Sequence, residues 1–251
     1  MGESGDGVTR EGMDELGRRF ARGRPDATIV FTPHNVHVEE SFAVVTAASL
    51  AGTLADLDHP EVELSCATDR ELALDVRDAI RAEGIPVVGV SYGGNLVEQS
   101  VMPMDWGVLV PLWFMGGRSE PQVPAVVVSP ARARPLEEHV RVGAAVAEAA
   151  AAKRVAVIAS ADHGHAHSDD GPYGFDPAAA EYDERVVELV RAGDLARLLA
   201  LDVDLVRRAA ADSYWQLLML HGALGDGWRA ELLSYEAPTY YGMLCAAFAP
   251  R

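Results

Sequence analysis

The chain reads as a single α/β domain spanning residues 1–251, with a mostly buried mixed β-sheet flanked by helices. Three observations predict this. Short, continuous apolar runs rich in β-branched residues recur along the chain, as expected of strands buried on both faces. Helical stretches separate those runs. No Ser/Gly/Pro-rich linker divides the 251 residues.

Taken in order, Thr9 to Arg22 predicts a helix with Met13, Leu16 and Phe20 on one face. Residues 27–32 (Ala-Thr-Ile-Val-Phe-Thr) predict a buried strand, and Phe42 to Val45 an extended stretch. Val62 to Cys66 alternates like a half-buried strand. Asp69 is a cap for a helix running to Glu83, which Gly84 ends. Pro86 to Val90, Ala125 to Ser129 and residues 155–160 predict three more buried strands. Pro135 to Ala152 predicts a helix with an alanine-rich face. Asp176 and Pro177 open a helix to about Arg191, Asp176 as cap and Pro177 in the first turn. Leu205 to Ala211 and Tyr214 to Leu224 read as helices. Leu232 to Tyr235 and Met243 to Phe248 read as closing strands. Strands 27–32, 87–90, 125–129 and 155–160 are expected to share one sheet.

Composition narrows the function. Lys+Arg 21 against Asp+Glu 38 gives a net charge of −17, which repels phosphate backbones and anionic membranes and argues against nucleic-acid or membrane partners. The most apolar stretch, Val108 to Met115, is far too short to span a bilayer. Met1 to Gly7 is acidic and Gly-rich, unlike a secretory signal. Cys66 and Cys245 follow no Cys-x-x-Cys spacing and read as buried free thiols. These features together predict a cytoplasmic protein.

Chemistry concentrates in two turns. The run Val155 to Ser160 leads into Ala161-Asp162-His163-Gly164-His165-Ala166-His167, and the run 27–32 leads into Pro33-His34-Asn35-Val36-His37. Five of the eight histidines therefore follow two strands, where open α/β sheets bind ligands. Histidine exchanges protons near neutral pH and is the commonest metal ligand. A single loop histidine is more often a solvated surface residue; two clusters in equivalent positions favour a shared site. His59 and His139 read as surface residues, His221 as packed on its helix, and Glu39 and Glu40 as solvated carboxylates.

Thr32-Pro33-His34-Asn35, Asp105-Trp106-Gly107 through Pro111-Leu112, His167-Ser168-Asp169-Asp170-Gly171-Pro172, Leu217 to Leu224 and Tyr241-Gly242-Met243 fall in one order. That ordered set resembles the class III extradiol ring-cleavage dioxygenases, the superfamily of the protocatechuate 4,5-dioxygenase β subunit, from about Thr9 to the C-terminus. The resemblance implies non-haem Fe(II), with Zn or Mn as alternatives, held by two histidines and a carboxylate, with open positions for a small aromatic substrate and O₂. It assigns His34 as a ligand and His167 as the acid/base. His37 and His165 are their expected neighbours, as a further metal ligand and a further catalytic histidine. Trp106 stands where the family often has a histidine, and with Tyr173 is expected to line the substrate pocket; Trp113, Phe114 and Phe175 could join them, although aromatics at such spacing are more often core. Asp212 is the nearest carboxylate ligand, with Ser213 at the spacing expected for Glu. No histidine precedes His34, so the family's N-terminal strand and its ligand motif are not represented. Weak Fe(II) binding is expected as a result. Related enzymes commonly dimerise, which leaves a homodimer open.

Other readings compete. The same fold could serve a non-catalytic metal- or protein-binding member of the superfamily. Five loop histidines also suit a zinc hydrolase, although there is no His-Glu-x-x-His. Gly89-Val90-Ser91-Tyr92-Gly93 has the spacing of a nucleophile elbow, but Gly93-Gly94-Asn95 reads as a turn rather than a helix start.

Overall fold

A computed structural model describes residues 6–251, so the N-terminal residues Met1 to Gly5 of the acidic segment lie outside the described residues. Helix α1 (Asp6–Gly23) leads into β1 (Ala27–Phe31). Then come β2 (Phe42–Val45), β3 (Ser49–Leu54), β4 (His59–Ala67), α2 (Arg70–Ala82), β5 (Val87–Val90), β6 (Val101–Pro103) and α3 (Trp106–Phe114). The remainder is β7 (Ala125–Ser129), α4 (Leu136–Ala149), β8 (Val155–Ala159), α5 (Ala178–Ala192), α6 (Val203–Arg208), α7 (Tyr214–Leu224), β9 (Trp228–Glu236) and β10 (Met243–Pro250).

The four expected strands do share one sheet, of order β5-β2-β7-β1-β8. β1 is central and runs parallel to both β7 and β8, pairing Phe31 with Val128 and with Ala159. β2 runs antiparallel to β7, which makes the sheet mixed. The apolar runs of β1, β2 and β7 are continuous because both faces are covered. β5 and β8, expected to be buried, lie at the two edges of the sheet and are only half-buried, with Gly89 exposed. Ile29 and Phe31 pack under α2, α4 and α7. Val30 and Val127 pack under α3 and the three-stranded sheet β4-β3-β6. A third core joins α5, α7 and the β9–β10 pair. Each fully buried Ile, Val or Phe adds about 1.5–3 kcal/mol.

Several local expectations are met. Asp69 caps α2 by accepting from Leu72 N. α5, by contrast, starts one residue later than expected, with Pro177 rather than Asp176 at the cap position, although Asp176 Oδ1 still accepts from Ala178 N. Both cysteines are buried and free. The Gly93-Gly94 segment is a loop with positive φ at both glycines, not a helix start, so Ser91 is not a nucleophile on an elbow. No helix among the described residues is long and apolar enough to cross a membrane.

Other expectations are corrected. The apolar run 108–115, to which the sequence assigns no element, lies mostly in α3, capped by Asp105 despite Pro111 in its interior. Pro111 has no N–H for the Gly107 carbonyl one turn earlier; Ser160 Oγ donates to that carbonyl instead, at 2.7 Å. His139 is not a surface residue. It is fully buried beside Phe42, ring centroids 4.8 Å apart, because it shares a face of α4 with Val142, Gly143 and Val146. Burial pushes its pKa down to about 4.

Helices α4 and α7 cross through paired glycines. A Cβ at Gly143 would lie 1.9 Å from Met219 O, and one at Gly222 would lie 1.9 Å from Val140 O. This close crossing fixes α7, and with it Asp212 and Ser213 just ahead of its first residue.

Candidate functional site

Because β1 and β8 are parallel neighbours, both histidine turns open at the same end of the sheet. At the end of β1 the chain turns sharply. Asn35 takes φ 70°, and its N–H donates to Asp105 Oδ2 at 2.9 Å. The turn brings His34 over the start of α3, with Trp106 4.9 Å from its ring. Gly107 is required there, since a Cβ would sit 2.6 Å from Thr32 Oγ1 and 3.1 Å from His34 Cδ2. His34 Nδ1 lies 3.6 Å from Asp105 Oδ2, and Nε2 lies 3.8 Å from Asp212 Oδ2. Nε2 is buried and has no hydrogen-bond partner among the described residues. A buried nitrogen left this way carries a desolvation cost of about 1–3 kcal/mol until something binds it.

Asp212 is held from its other side. Arg132 donates to its Oδ1 at 2.7 Å, and the guanidinium lies over the Trp215 ring at 4.8 Å. Arg132, Asp212, Trp215 and Tyr173 line a cavity of about 210 Å³, below the ~300–1,000 Å³ of drug-sized sites.

The turn after β8 is more fully wired. His163 is buried, with Nδ1 2.8 Å from Ser213 Oγ, which in turn meets Tyr182 Oη at 2.9 Å. Burial pushes the His163 pKa down, so the ring is neutral. His165 Nδ1 donates to Ala210 O and His163 O, at 3.0 and 3.1 Å. That fixes the tautomer and leaves Nε2 as the exchangeable nitrogen. Burial disfavours the charged form of His165, but Asp162, 3.7 Å from Nε2, and the field of Asp212 outweigh it and hold the pKa above the ordinary value. The Tyr173 ring lies 5.5 Å from the His165 ring. His167 Nε2 lies 2.8 Å from Asp183 Oδ2.

The structure therefore brings His34, Asp212, His165 and Tyr173 around one end of the sheet, with His167 in the same turn as His165. His37 is exposed beyond the turn and joins no metal-holding group among the described residues. Trp106 and Tyr173 are 48% and 63% exposed and separate: one flanks His34, the other His165 and the cavity. Among the described residues, no three histidine, cysteine or carboxylate side chains are grouped to hold a metal ion. His34 and Asp212 fit two positions of a site, by the unpartnered Nε2 and the adjacent carboxylate, and no more.

Sequence reasoning missed Arg132, Trp215, Asp105 and Asp183. Asp183 left the clearest signal. It is a lone acid on the buried face of α5, among Ala179, Tyr182, Val186 and Val190.

A mixed sheet whose parallel strands end in histidine-bearing turns beside a small aromatic-walled cavity defines an α/β protein with its candidate site at the strand ends. The chain belongs to the family described as the catalytic LigB subunit of aromatic ring-opening dioxygenase, whose model matches residues 2–246. It is 25% identical over 231 residues to Protein CA_C1420 of Clostridium acetobutylicum, covering 91% of this chain and 49% of that protein. The chain thus spans about half the length of that curated relative. Its fold is similar to that of the uncharacterized protein JW3007 from Escherichia coli K12, with TM-score 0.60 and 20% identity, covering 96% of this chain and 91% of that one.

Proposed function

We propose that this chain is an Fe(II)-dependent extradiol dioxygenase acting on a catechol-type or related single-ring phenol. The observation that carries the reading is the buried, unpartnered His34 Nε2, 3.8 Å from the Asp212 carboxylate, at the sheet end that also holds His165. His34 and Asp212 would hold the ion. Iron, when bound, would supply the coordination chemistry that activates a phenolic oxygen and O₂. Trp106 walls one side of His34, and Tyr173 and Trp215 offer flat surfaces to a ring. Arg132 balances the Asp212 charge. His165 Nε2 and His167 are the groups that move protons at the substrate hydroxyl. Two buried free thiols suit a reducing compartment, and we assign the protein to the cytoplasm.

Anaerobically iron-loaded protein, assayed with catechol, protocatechuate and 2-aminophenol, is expected to give slow ring fission that depends on added Fe(II) and disappears in His34→Ala. Ring fission unchanged in His34→Ala would overturn the assignment of His34. A second reading has its own observation. Arg132 already neutralises Asp212, and among the described residues only His34 and Asp212 stand together as donors, which favours a non-catalytic binding member of the family. Tight binding of a phenol with no turnover at any iron concentration would select that reading.

A further inference from the structure

We propose that Asp183 is the positioning residue for His167, locking its imidazole as the Nε2–H tautomer so that Nδ1 is the atom that exchanges a proton with a bound phenol. The proton-exchange part rests on the ring-cleavage reading above; the tautomer lock does not. Asp183 is 1% exposed, on the sheet-facing side of α5. A carboxylate taken this far from water is tolerable only when its oxygens are satisfied. Three donors do so. Gly164 N–H reaches Oδ1 at 2.8 Å, while Tyr235 Oη and His167 Nε2 reach Oδ2 at 2.7 and 2.8 Å. Burial, and then the bond to Asp183, push the Tyr235 phenol well above its ordinary pKa, so it stays protonated and donates.

With both oxygens acting as acceptors, the carboxylate demands a proton on His167 Nε2. Neutral imidazole carries only one, so Nδ1 is left bare. Nδ1 makes no hydrogen bond among the described residues. When a phenolic O–H gives its proton to Nδ1, the O–H bond breaks and an N–H bond forms. The resulting imidazolium keeps its Nε2–H on Asp183, whose charge stabilises it.

The chain around Asp183 is built to this end. A Cβ at Gly242 would lie 1.9 Å from Asp183 Oδ2, so only glycine admits the carboxylate. The same segment is pinned by His163 N–H to Gly242 O and by Gly242 N–H to Gly164 O, at 2.9 and 3.0 Å. Tyr241-Gly242-Met243, one of the segments that carried the family resemblance, thereby gains a physical role.

Nitrogen NMR of ¹⁵N-histidine-labelled protein, without metal, tests the lock. Wild type is expected to show His167 protonated at Nε2 and bare at Nδ1. Asp183→Asn is expected to give mixed tautomers and to lower ring-fission kcat about 10- to 100-fold with little change in KM. Tyr235→Phe, which retains the carboxylate, should keep the wild-type tautomer and serves should Asp183→Asn fail to fold. A wild-type His167 protonated at Nδ1 would overturn the proposal. So would an unchanged tautomer in folded Asp183→Asn, or a shift in tautomer when Tyr235→Phe leaves Asp183 in place. With the lock present, a phenol that binds beside His34 but leaves the His167 Nδ1 signal unmoved would overturn the proton-exchange role. Protein that never cleaves a ring, yet shows the lock and its loss in Asp183→Asn, would sink the dioxygenase reading and leave the lock standing.

Discussion

The turns after β1 and β8 stand side by side and are built to opposite plans. In the β8 turn each histidine has one ring nitrogen committed. His163 is tied to Ser213, His165 to two backbone carbonyls and His167 to Asp183. In the β1 turn His34 Nε2 is buried without a partner, and so are both side-chain amide atoms of Asn35, whose φ of 70° is itself strained. One turn is finished before anything binds. The other carries unmet hydrogen-bonding capacity, as expected of a surface completed by a ligand. The lesson is that a histidine cluster in sequence does not identify the receiving site. The denser cluster supplies fixed geometry, while the sparser one supplies the vacant donor atom.

The sharpest way to break this contrast is to remove a histidine from each turn and measure unfolding in urea. His163→Ala should cost about 3 kcal/mol, through a cavity and an orphaned Ser213 hydroxyl. His34→Ala should cost well under half of that, because it ends an unmet demand. Equal costs would erase the distinction between the turns.

A buried histidine outside both turns calibrates the measurement. The His139 pKa lies near 4 in the folded protein against an ordinary 6.5. The unfolded chain therefore takes up the proton first. Stability from neutral His139 is complete above pH 6.5 and is lost as pH falls toward 4, by on the order of 2 kcal/mol between pH 7 and 5. His139→Leu should flatten that part of the stability–pH curve. A curve unchanged by the substitution would refute the burial argument.

Much of the fold was legible in the sequence. The short, β-branched apolar runs of β1, β7 and β8 read as strands, with β1 and β7 covered on both faces and the edge strand β8 half-buried. The cap Asp69 marked its helix to within a residue. The small sheet β4-β3-β6 was half hidden. Ser49–Leu54 has Gly52 in its middle, and β6 is three residues long, so neither carries a clear alternation. α3 escaped because an all-apolar nine-residue run with an internal proline has no helical period to read. At the candidate site, His34 and His165 were visible as residue types next to strand ends, whereas Asp212, between α6 and α7, was named only through the family resemblance. His37 was drawn in by adjacency alone, and two residues of spacing carried it into solvent. His139 reads as a surface residue by its polarity, but it shares the i, i+3, i+4, i+7 face of α4 with Val142, Gly143 and Val146. Arg132 and Asp183 reach the cluster from distant segments, and only tertiary packing reveals such partners.

A gentler perturbation sharpens the contrast without removing a donor. Gly107→Ala places a methyl against Thr32 Oγ1 and His34. It should weaken metal affinity about tenfold in a chelator competition, roughly 1.4 kcal/mol, and leave the tautomers of the β8 turn untouched. Loss of the His163 or His167 tautomer in this variant would show that the two turns are not independent.

The central claim is that the β1 turn receives the ligand and the β8 turn is already formed. Anaerobic titration of ¹⁵N-histidine-labelled protein with Zn(II), a diamagnetic stand-in for Fe(II), tests it most directly. The account predicts a large shift of His34 Nε2 that is lost in Asp212→Ala, with the tautomers of His163 and His167 unchanged throughout. A saturating titration in which His34 does not move while His163 or His167 changes its protonated nitrogen would contradict it.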